Sequence, residues 1–274
     1  MESSRAQKFW IYLTLGVCAA IMFLPFYYMI ITAFKSTREM AQTGVSLIVR
    51  DPTLEPMRDL LKGSSYGLAA LNSLFITLLS TVGNMFLCTL AGFAFAKHHF
   101  PGRDKIFMGL LATMMIPGTV LMVPGFLLNR DFGWLNTWTP LIVPGLAGVF
   151  GVFLSRQFIG KIPDALIYAA RVDGCSEWRI YFQLILPLCK PLLATLGILT
   201  FLGSWNSFLG PLIILLDEGK YTLPLVIALL QGRFRGQENV QMAGALLSVL
   251  PVLIVFFSFQ KQIVKSLANT GLKE

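Results

Sequence analysis

The sequence is 274 residues long, and 55% of its residues are hydrophobic while only 13% are charged. A soluble domain carries about 25% charged residues, so a chain this apolar cannot cover itself with a polar surface in water. The composition therefore excludes an ordinary soluble protein and indicates a membrane protein. The net charge of +8 does not indicate nucleic-acid binding, because the basic residues lie at the ends of apolar runs and not along one face.

Apolar runs long enough to cross a membrane recur along the whole chain. A helix needs about 20 mostly apolar residues to cross a hydrocarbon core about 30 Å thick. The segments that meet this requirement are approximately residues 9–33, 68–96, 106–128, 138–159, 182–216 and 241–260. The sequence therefore predicts an all-α polytopic membrane protein with six transmembrane helices, in which residues 1–274 form a single transmembrane domain.

Two of these segments have features beyond their hydropathy. The first follows a short polar start and is longer than the apolar core of a signal peptide, so it is interpreted as a retained span. The fifth, residues 182–216, is too long for one straight crossing. Pro187 and Pro191 are expected to kink it, because proline removes a backbone donor and clashes with the preceding turn. The crossing proper is therefore expected to begin near Pro191.

The placement of Lys and Arg predicts the orientation of the chain. With a cytoplasmic N-terminus, the inner segments carry more of these residues than the outer segments. The contrast is sharpest between the basic loop at residues 97–105 and the nearly neutral loop around Arg130. Both termini are therefore predicted to be cytoplasmic. The outer segments at residues 34–67 and 217–240 contain charges and helix breakers, so short interfacial helices are expected there.

The segment between the fourth and fifth spans carries the most informative local signals. Pro163 and Asp164 suit the first turn of a helix, and Gly174 supplies the left-handed residue that ends one. Ser176 can then cap the helix that follows. The sequence therefore predicts a short capped helix at about residues 164–172, on the cytoplasmic side.

One face of this predicted helix is formed by residues at i, i+3, i+4 and i+7, which are Leu166, Ala169, Ala170 and Asp173. The face is small at its centre because of the two alanines, and a small face lets a helix sit deep in a groove on another protein. The residues alone leave two interpretations open: the helix docks on a partner, or it lies on the membrane surface.

The run from Tyr168 to Gly174, with Pro187 following, resembles the EAA loop of bacterial binding-protein-dependent ABC importer permeases. Ala169 and Ala170 match the family pattern, while Tyr168 stands where the family has glutamate. In that family the loop is the coupling helix, which docks into a cleft on the ATPase subunit. The resemblance assigns the ATPase-coupling role to Leu166, Tyr168, Ala169, Ala170, Asp173 and Gly174.

Further stretches resemble the carbohydrate, maltose-type subfamily, and within it the subunit without a large periplasmic insertion. These stretches are Leu71–Ser73, Ala94–Arg103, Met115–Pro117, Gly133–Thr137 and Trp205–Leu212. The resemblance implies the type I ABC importer permease fold in the bacterial inner membrane. It also implies that the chain is the permease subunit of an ATP-driven, binding-protein-dependent importer for a sugar or sugar-like solute.

The same resemblance implies a set of partners. They are a second permease subunit in a heterodimer, two ATPase subunits that hold ATP and magnesium, an extracytoplasmic solute-binding protein, and membrane lipid. The chain itself lacks the GxxxxGK[ST] phosphate-binding loop, so it is expected to be neither an enzyme nor a cofactor-binding protein. No catalytic residue and no metal site are predicted, and His98 and His99 are interpreted as part of a solvated loop.

The alternative function is a stand-alone secondary carrier of a small polar solute. Ion-coupled carriers commonly use carboxylates inside the membrane, and the six predicted spans contain none. This pattern favours a partner ATPase as the source of energy. A purely structural membrane scaffold is a further rival.

The polar cluster at residues 203–207 lies in an otherwise apolar segment, and polar groups in a bilayer must face a partner helix or a watery path. Trp205 and Asn206 are the candidates for the solute path, by ring stacking and by contact with a hydroxyl. The alternative is that both residues serve helix packing. Glycines at 145, 148 and 151 permit close helix contact, and two interpretations are open: a sliding interface with the partner permease, or static packing.

Overall fold

The computed structural model describes residues 5–43 and 46–271, with side chains for all of these except residues 6, 43 and 261–271. Within that part the chain is almost entirely helical and contains no β-strand, and one isolated bridge pairs Lys35 with Pro52. The helices in chain order are α1 (Arg5–Ala33), α2 (Thr37–Thr43), α3 (Glu55–Gly63), α4 (Tyr66–Lys97), α5 (Arg103–Thr113), α6 (Met122–Asp131), α7 (Thr139–Ile142), α8 (Val149–Gly160), α9 (Asp164–Val172), α10 (Glu177–Ile180), α11 (Leu186–Leu188), α12 (Lys190–Trp205), α13 (Leu209–Ile214), α14 (Leu223–Arg233) and α15 (Glu238–Gly271).

Some of these helices are long and apolar enough to cross a membrane. Among the described residues they are Gln7–Ala33, Tyr66–Lys97, Thr139–Gly160 and Glu238–Gln260. A fifth crossing is present if α10–α11 and α12, which are bent by 80° relative to each other, are counted as one span. The four single helices correspond to the first, second, fourth and sixth predicted segments, and the bent pair corresponds to the fifth. The total of six spans stays a prediction.

The third predicted segment, residues 106–128, is not one continuous helix. α5 ends at Thr113 and α6 begins at Met122, and the residues between them form turns. Pro117 lacks a backbone donor and its ring clashes with the preceding turn, so a regular helix is broken at this point. Hydropathy alone does not register this break, because the intervening residues are apolar.

The fifth predicted segment, residues 182–216, is kinked where the sequence predicts. The 80° bend lies between α11 and α12, and Pro187 and Pro191 flank it. The helix does not continue to residue 216, however, because α12 ends at Trp205. There the side-chain amide of Asn206 donates to the carbonyl of Leu202 at 3.0 Å. Local bonds of this kind compete with continuation of the helix.

The chain packs as two compact units. The first comprises the residues up to Gly67 together with Val226–Leu250, and the second comprises Leu68–Leu225 together with the residues from Pro251 on. A single domain over residues 1–274 stays a prediction. α1 belongs to the first unit, and none of its most apolar window is buried.

Polar contacts tie the first unit together. The hydroxyl of Tyr66 donates to the carbonyl of Gly244 at 2.7 Å, which joins the start of α4 to α15. In the segment predicted to lie outside, the carboxylate of Glu39 accepts the backbone N–H groups of Arg50 and Asp51 at 3.0 and 3.1 Å. These bonds, that from Arg50 above all, lower the pKa of Glu39. This segment is therefore ordered by its own backbone donors.

The second unit has its core where α4, α8 and α9 meet the chain from α10 to α12. α4 and α8 approach closely because glycine residues, which have no side chain, lie at the contact between the two helices. The side-chain amide of Asn84 donates to the carbonyl of Gly145 at 2.7 Å, and a Cβ atom at Gly151 would lie 2.6 Å from the sulfur of Cys88. The predicted glycine contact is thus made with α4 of the same chain.

Gly92 marks the tightest point of this α4–α8 contact. A Cβ atom there would lie 2.8 Å from the carbonyl carbon of Ser155 and 2.9 Å from the backbone nitrogen of Arg156. Because these atoms are backbone, they cannot rotate away, and overpacking typically costs about 1–3 kcal/mol. We therefore expect Gly92→Ala to lower the melting temperature of the purified protein in detergent. Gly109→Ala in α5 is the control, since its Cβ meets nothing within 4 Å, and equal melting of the two variants would contradict the expectation.

Candidate functional site

The short helix on the predicted cytoplasmic side is α9, at Asp164–Val172. Its ends follow the local signals of the sequence. Gly174 adopts φ +76°, the left-handed conformation that ends the helix, and its N–H donates to the carbonyl of Arg171 at 3.0 Å. The hydroxyl of Ser176 then accepts the N–H of Arg179 and caps α10. The end of α9 and the start of α10 are therefore both fixed by contacts between neighbouring residues.

One side of α9 is anchored in the core of the second unit. Ile167 is 2% exposed and belongs to the same apolar cluster as Ile162, Ile180 and Tyr181. Ala170 is partly buried and packs against this cluster. Of the face predicted from the sequence, Ala170 thus lies against the chain's own core.

The other side of α9 is an exposed surface with an apolar centre. Tyr168 is 57% exposed, Leu166 44% and Val172 88%, and Ala169 and Asp173 are also exposed. These five residues are called the α9 surface below. Contiguous exposed apolar side chains on an ordered helix are typical of a protein–protein contact.

The end of α4 holds the start of α9. The side chain of Lys97 is 4% exposed, and its Nζ donates to the carbonyl of Ile162 at 2.5 Å and to Oδ1 of Asp164 at 2.6 Å. The bond from Lys97 lowers the pKa of Asp164. The sequence offered Lys97 only as a topology signal, because its partners lie more than sixty residues further along the chain.

A second ionic contact holds the other end of α9. Nε of Arg171 donates to Oε1 of Glu177 at 2.7 Å, and Nε2 of His98 lies 3.0 Å from Oε2 of the same carboxylate. The Arg171 guanidinium also lies 5.9 Å from the centre of the Tyr168 ring. The interpretation of His98 as part of a solvated loop is therefore incomplete, because its side chain connects this loop to α10.

A separate cavity of about 360 Å³, with apolar and hydroxyl-bearing residues in its lining, lies in the second unit. Five hydroxyl-bearing residues line it, and it is called the hydroxyl cavity below: Ser80, Thr200, Ser204, Ser207 and Thr222.

Neither solute-path candidate from the sequence lines this cavity. Trp205 is 4% exposed and its ring stacks on Phe201 at 5.8 Å, while the amide of Asn206 bonds within α12. The serines on either side of them, Ser204 and Ser207, line the cavity instead. Contact of Trp205 or Asn206 with a solute stays a prediction.

The known proteins to which the chain is similar are all membrane components of transport systems. Residues 88–269 match the model of the family described as binding-protein-dependent transport system inner membrane component. The chain is 33% identical to the arabinooligosaccharides transport system permease protein AraQ of Halalkalibacterium halodurans, over 95% of each chain. It is 30% identical to the lactose transport system permease protein LacG of Rhizobium radiobacter, over 94% of each chain.

A solved structure shares the fold. It is that of a bacterial ABC transporter involved in the import of the acidic polysaccharide alginate. One chain of it superposes with a TM-score of 0.84 at 24% identity, covering 95% of this chain and 99% of that one. The arrangement of helices is therefore that of an ABC importer permease of type I.

The anchoring of α9 by Lys97 is testable by hydrogen exchange. Lys97→Met keeps the length of the side chain but removes its charge-assisted bonds to Ile162 and Asp164. We expect the amides of residues 164–172 to exchange about tenfold faster, because the loss of a charged hydrogen bond corresponds to roughly that factor. Lys161→Met, at an exposed lysine of the same loop, is the control. Equal protection of α9 in both variants would show that Lys97 does not hold it.

Proposed function

We propose a function that proceeds from one premise: the chain belongs to the family of binding-protein-dependent transport system inner membrane components. It is a permease subunit of a binding-protein-dependent ABC importer for a sugar, and a multi-pass protein of the bacterial inner membrane.

The proposed coupling element is α9, which docks through the α9 surface into a cleft on an ATPase subunit. The observation that carries this proposal is the division of α9 into an anchored and an exposed side. Ile167 is buried in the core, whereas Val172, five residues on, is 88% exposed. A helix that is held firmly and still exposes apolar side chains transmits a displacement of its partner to the rest of the unit.

Tyr168 gives this surface a particular chemistry. It stands where the family has glutamate, so the subunit offers an aromatic ring at that point in place of a carboxylate. A glutamate at 168 would be three residues from Arg171, at the spacing for an ion pair along a helix. Arg171 pairs instead with Glu177 and lies 5.9 Å from the centre of the Tyr168 ring, and the 57% of Tyr168 that is exposed is the part proposed to pack against the ATPase.

The remaining partners follow from the same premise. Two copies of an ATPase bind ATP and magnesium, which fits a chain whose sequence has no phosphate-binding loop. A second permease subunit completes the path, and an extracytoplasmic binding protein delivers the solute. This arrangement places α9 and both termini in the cytoplasm, in agreement with the distribution of Lys and Arg.

In the proposed cycle, ATP binding closes the ATPases and α9 moves with them. Lys97 is the last residue of α4, so its bonds join α9 directly to a membrane helix. α4 also carries Ser80 at the hydroxyl cavity, seventeen residues earlier, or about 26 Å along the helix axis. The bundle then changes from inward-facing to outward-facing and accepts solute from the binding protein.

The first test is to purify the tagged chain in mild detergent and identify what accompanies it. An ATPase and a second permease are expected. Ala169→Trp adds a bulky ring to the α9 surface, so we expect it to reduce co-purification of the ATPase at least tenfold without unfolding the permease. Ala41→Trp, at an exposed alanine of α2 in the predicted outer segment, is the matched control.

Two results would count against the coupling role of α9. Wild-type recovery of the ATPase with Ala169→Trp would exclude α9 as the docking element. Recovery of the wild-type chain alone, still able to transport solute into vesicles without ATP, would instead favour a stand-alone secondary carrier.

A further inference from the structure

We infer that this subunit itself carries a binding subsite for the hydroxyl groups of a neutral saccharide, and that the subsite is the hydroxyl cavity. The inference rests on the proposed function and names the class of solute that this part of the path accepts. The volume of about 360 Å³ lies at the lower end of the range for small-molecule sites, which is about 300–1,000 Å³.

Two hydroxyl groups in the cavity have unmet hydrogen-bonding capacity. Ser80 is 4% exposed and Thr222 is 5% exposed, and the side-chain oxygen of each is buried without a hydrogen-bond partner within the described part of the chain. Such groups are unfavourable in a protein interior, so each one calls for an explanation. A solute that brings its own donors and acceptors into the cavity satisfies both.

The wall that carries Thr222 is held in place by α4. The N–H of Leu223 donates to the hydroxyl of Ser73 at 2.7 Å, and the amide of Asn72 donates to the carbonyls of Gly219 and Tyr221 at 3.0 Å each. Thr222 therefore stands at a fixed position beside α4, as a binding group must if it is to select its ligand.

A third hydroxyl group in the cavity, that of Thr200, donates its proton in a defined direction. Thr200 donates its proton to the side-chain oxygen of Asn84 at 3.1 Å, and Asn84 in turn donates to the carbonyl of Gly145 at 2.7 Å. The Thr200 oxygen is thereby set to accept a bond from a solute hydroxyl. Ser204 and Ser207 add two further hydroxyl groups to the lining.

The lining selects against charged solutes. None of the residues that line the cavity is charged, and aliphatic side chains such as Ile76, Leu141 and Ile214 complete it. A carboxylate or phosphate here would lose its hydration without a counter-charge, which is costly inside a membrane. A neutral saccharide presents hydroxyl groups beside apolar C–H patches and therefore fits both parts of the lining.

Glycine leaves room in the cavity that a side chain can fill. Gly203 lines the cavity, and a Cβ atom built on it meets nothing within 4 Å. Gly203→Leu therefore starts from an unobstructed Cβ position, and its side chain is expected to occupy the space of the solute. It is the blocking variant of the test.

The test uses the complete transporter with its binding protein in proteoliposomes. The probes are radiolabelled lactose and arabinobiose as neutral saccharides and digalacturonate as an acidic one. Ser80→Ala combined with Thr222→Val removes the two unpartnered hydroxyls, and we expect ATP-dependent uptake of the neutral probe to fall about tenfold. Gly203→Leu is expected to abolish it.

Matched controls separate the cavity from general effects. Thr81→Val removes another buried, unpartnered hydroxyl of α4 that does not line the cavity, and Gly109→Leu adds the same side chain at an open position outside it. Both are expected to keep wild-type uptake. Co-purification of the ATPase checks that each variant is assembled.

The outcomes distinguish this inference from the proposed function. Wild-type uptake by the assembled double variant and by Gly203→Leu would overturn the subsite and leave the permease assignment standing. Preferred uptake of digalacturonate by the wild type, or no uptake of either neutral probe, would overturn the neutral class. Failure of an ATPase to accompany the wild-type chain would instead contradict the proposed function.

Discussion

The second unit depends on the small and polar side chains of α4. Between helices in a bilayer the hydrophobic effect gives little attraction, so close packing and interhelical hydrogen bonds must hold them together. α4 provides such a group at intervals along its length, and each group contacts a different segment. They are Asn72 and Ser73 to residues 219–223, Asn84 to Gly145 and Thr200, Thr89 to Tyr181, Gly92 to Ser155, and Lys97 to Ile162 and Asp164.

Features that depend on a few neighbouring residues could be predicted from the sequence. The helix at residues 164–172 has the bounds that its proline, its left-handed Gly174 and the cap at Ser176 indicate. The kink of the fifth segment follows its two prolines. The break near Pro117 is not predicted, because the apolar run around this proline satisfies the length criterion for a span.

Features that depend on tertiary packing could not be predicted in this way. His98 and Glu177 lie 79 residues apart, and no local pattern indicates their contact. Residue type makes Trp205 a candidate for the solute path. Which residues of a helix face a cavity is decided by the packing of neighbouring segments. The Trp205 ring stacks on Phe201, whereas Ser204 and Ser207 line the hydroxyl cavity. Ala170 is likewise predicted on the docking face of α9, whereas in the structure it packs against the core cluster to which Ile167 belongs.

The most apolar window of α1 has no buried residue, in contrast to the buried end at Ile31–Ala33, and this makes most of the helix responsive to the thickness of the bilayer. Its apolar stretch Gln7–Ala33 has 27 residues, or about 40 Å at 1.5 Å per residue, which exceeds a hydrocarbon core of about 30 Å. Such hydrophobic mismatch is relieved by tilting or by local thickening of the lipid. Trp10 and Tyr12, near the start of α1, are of the residue types that favour the headgroup level. α4 has 39% of its window buried and is held by protein contacts, so lipid composition acts on α1 far more than on α4.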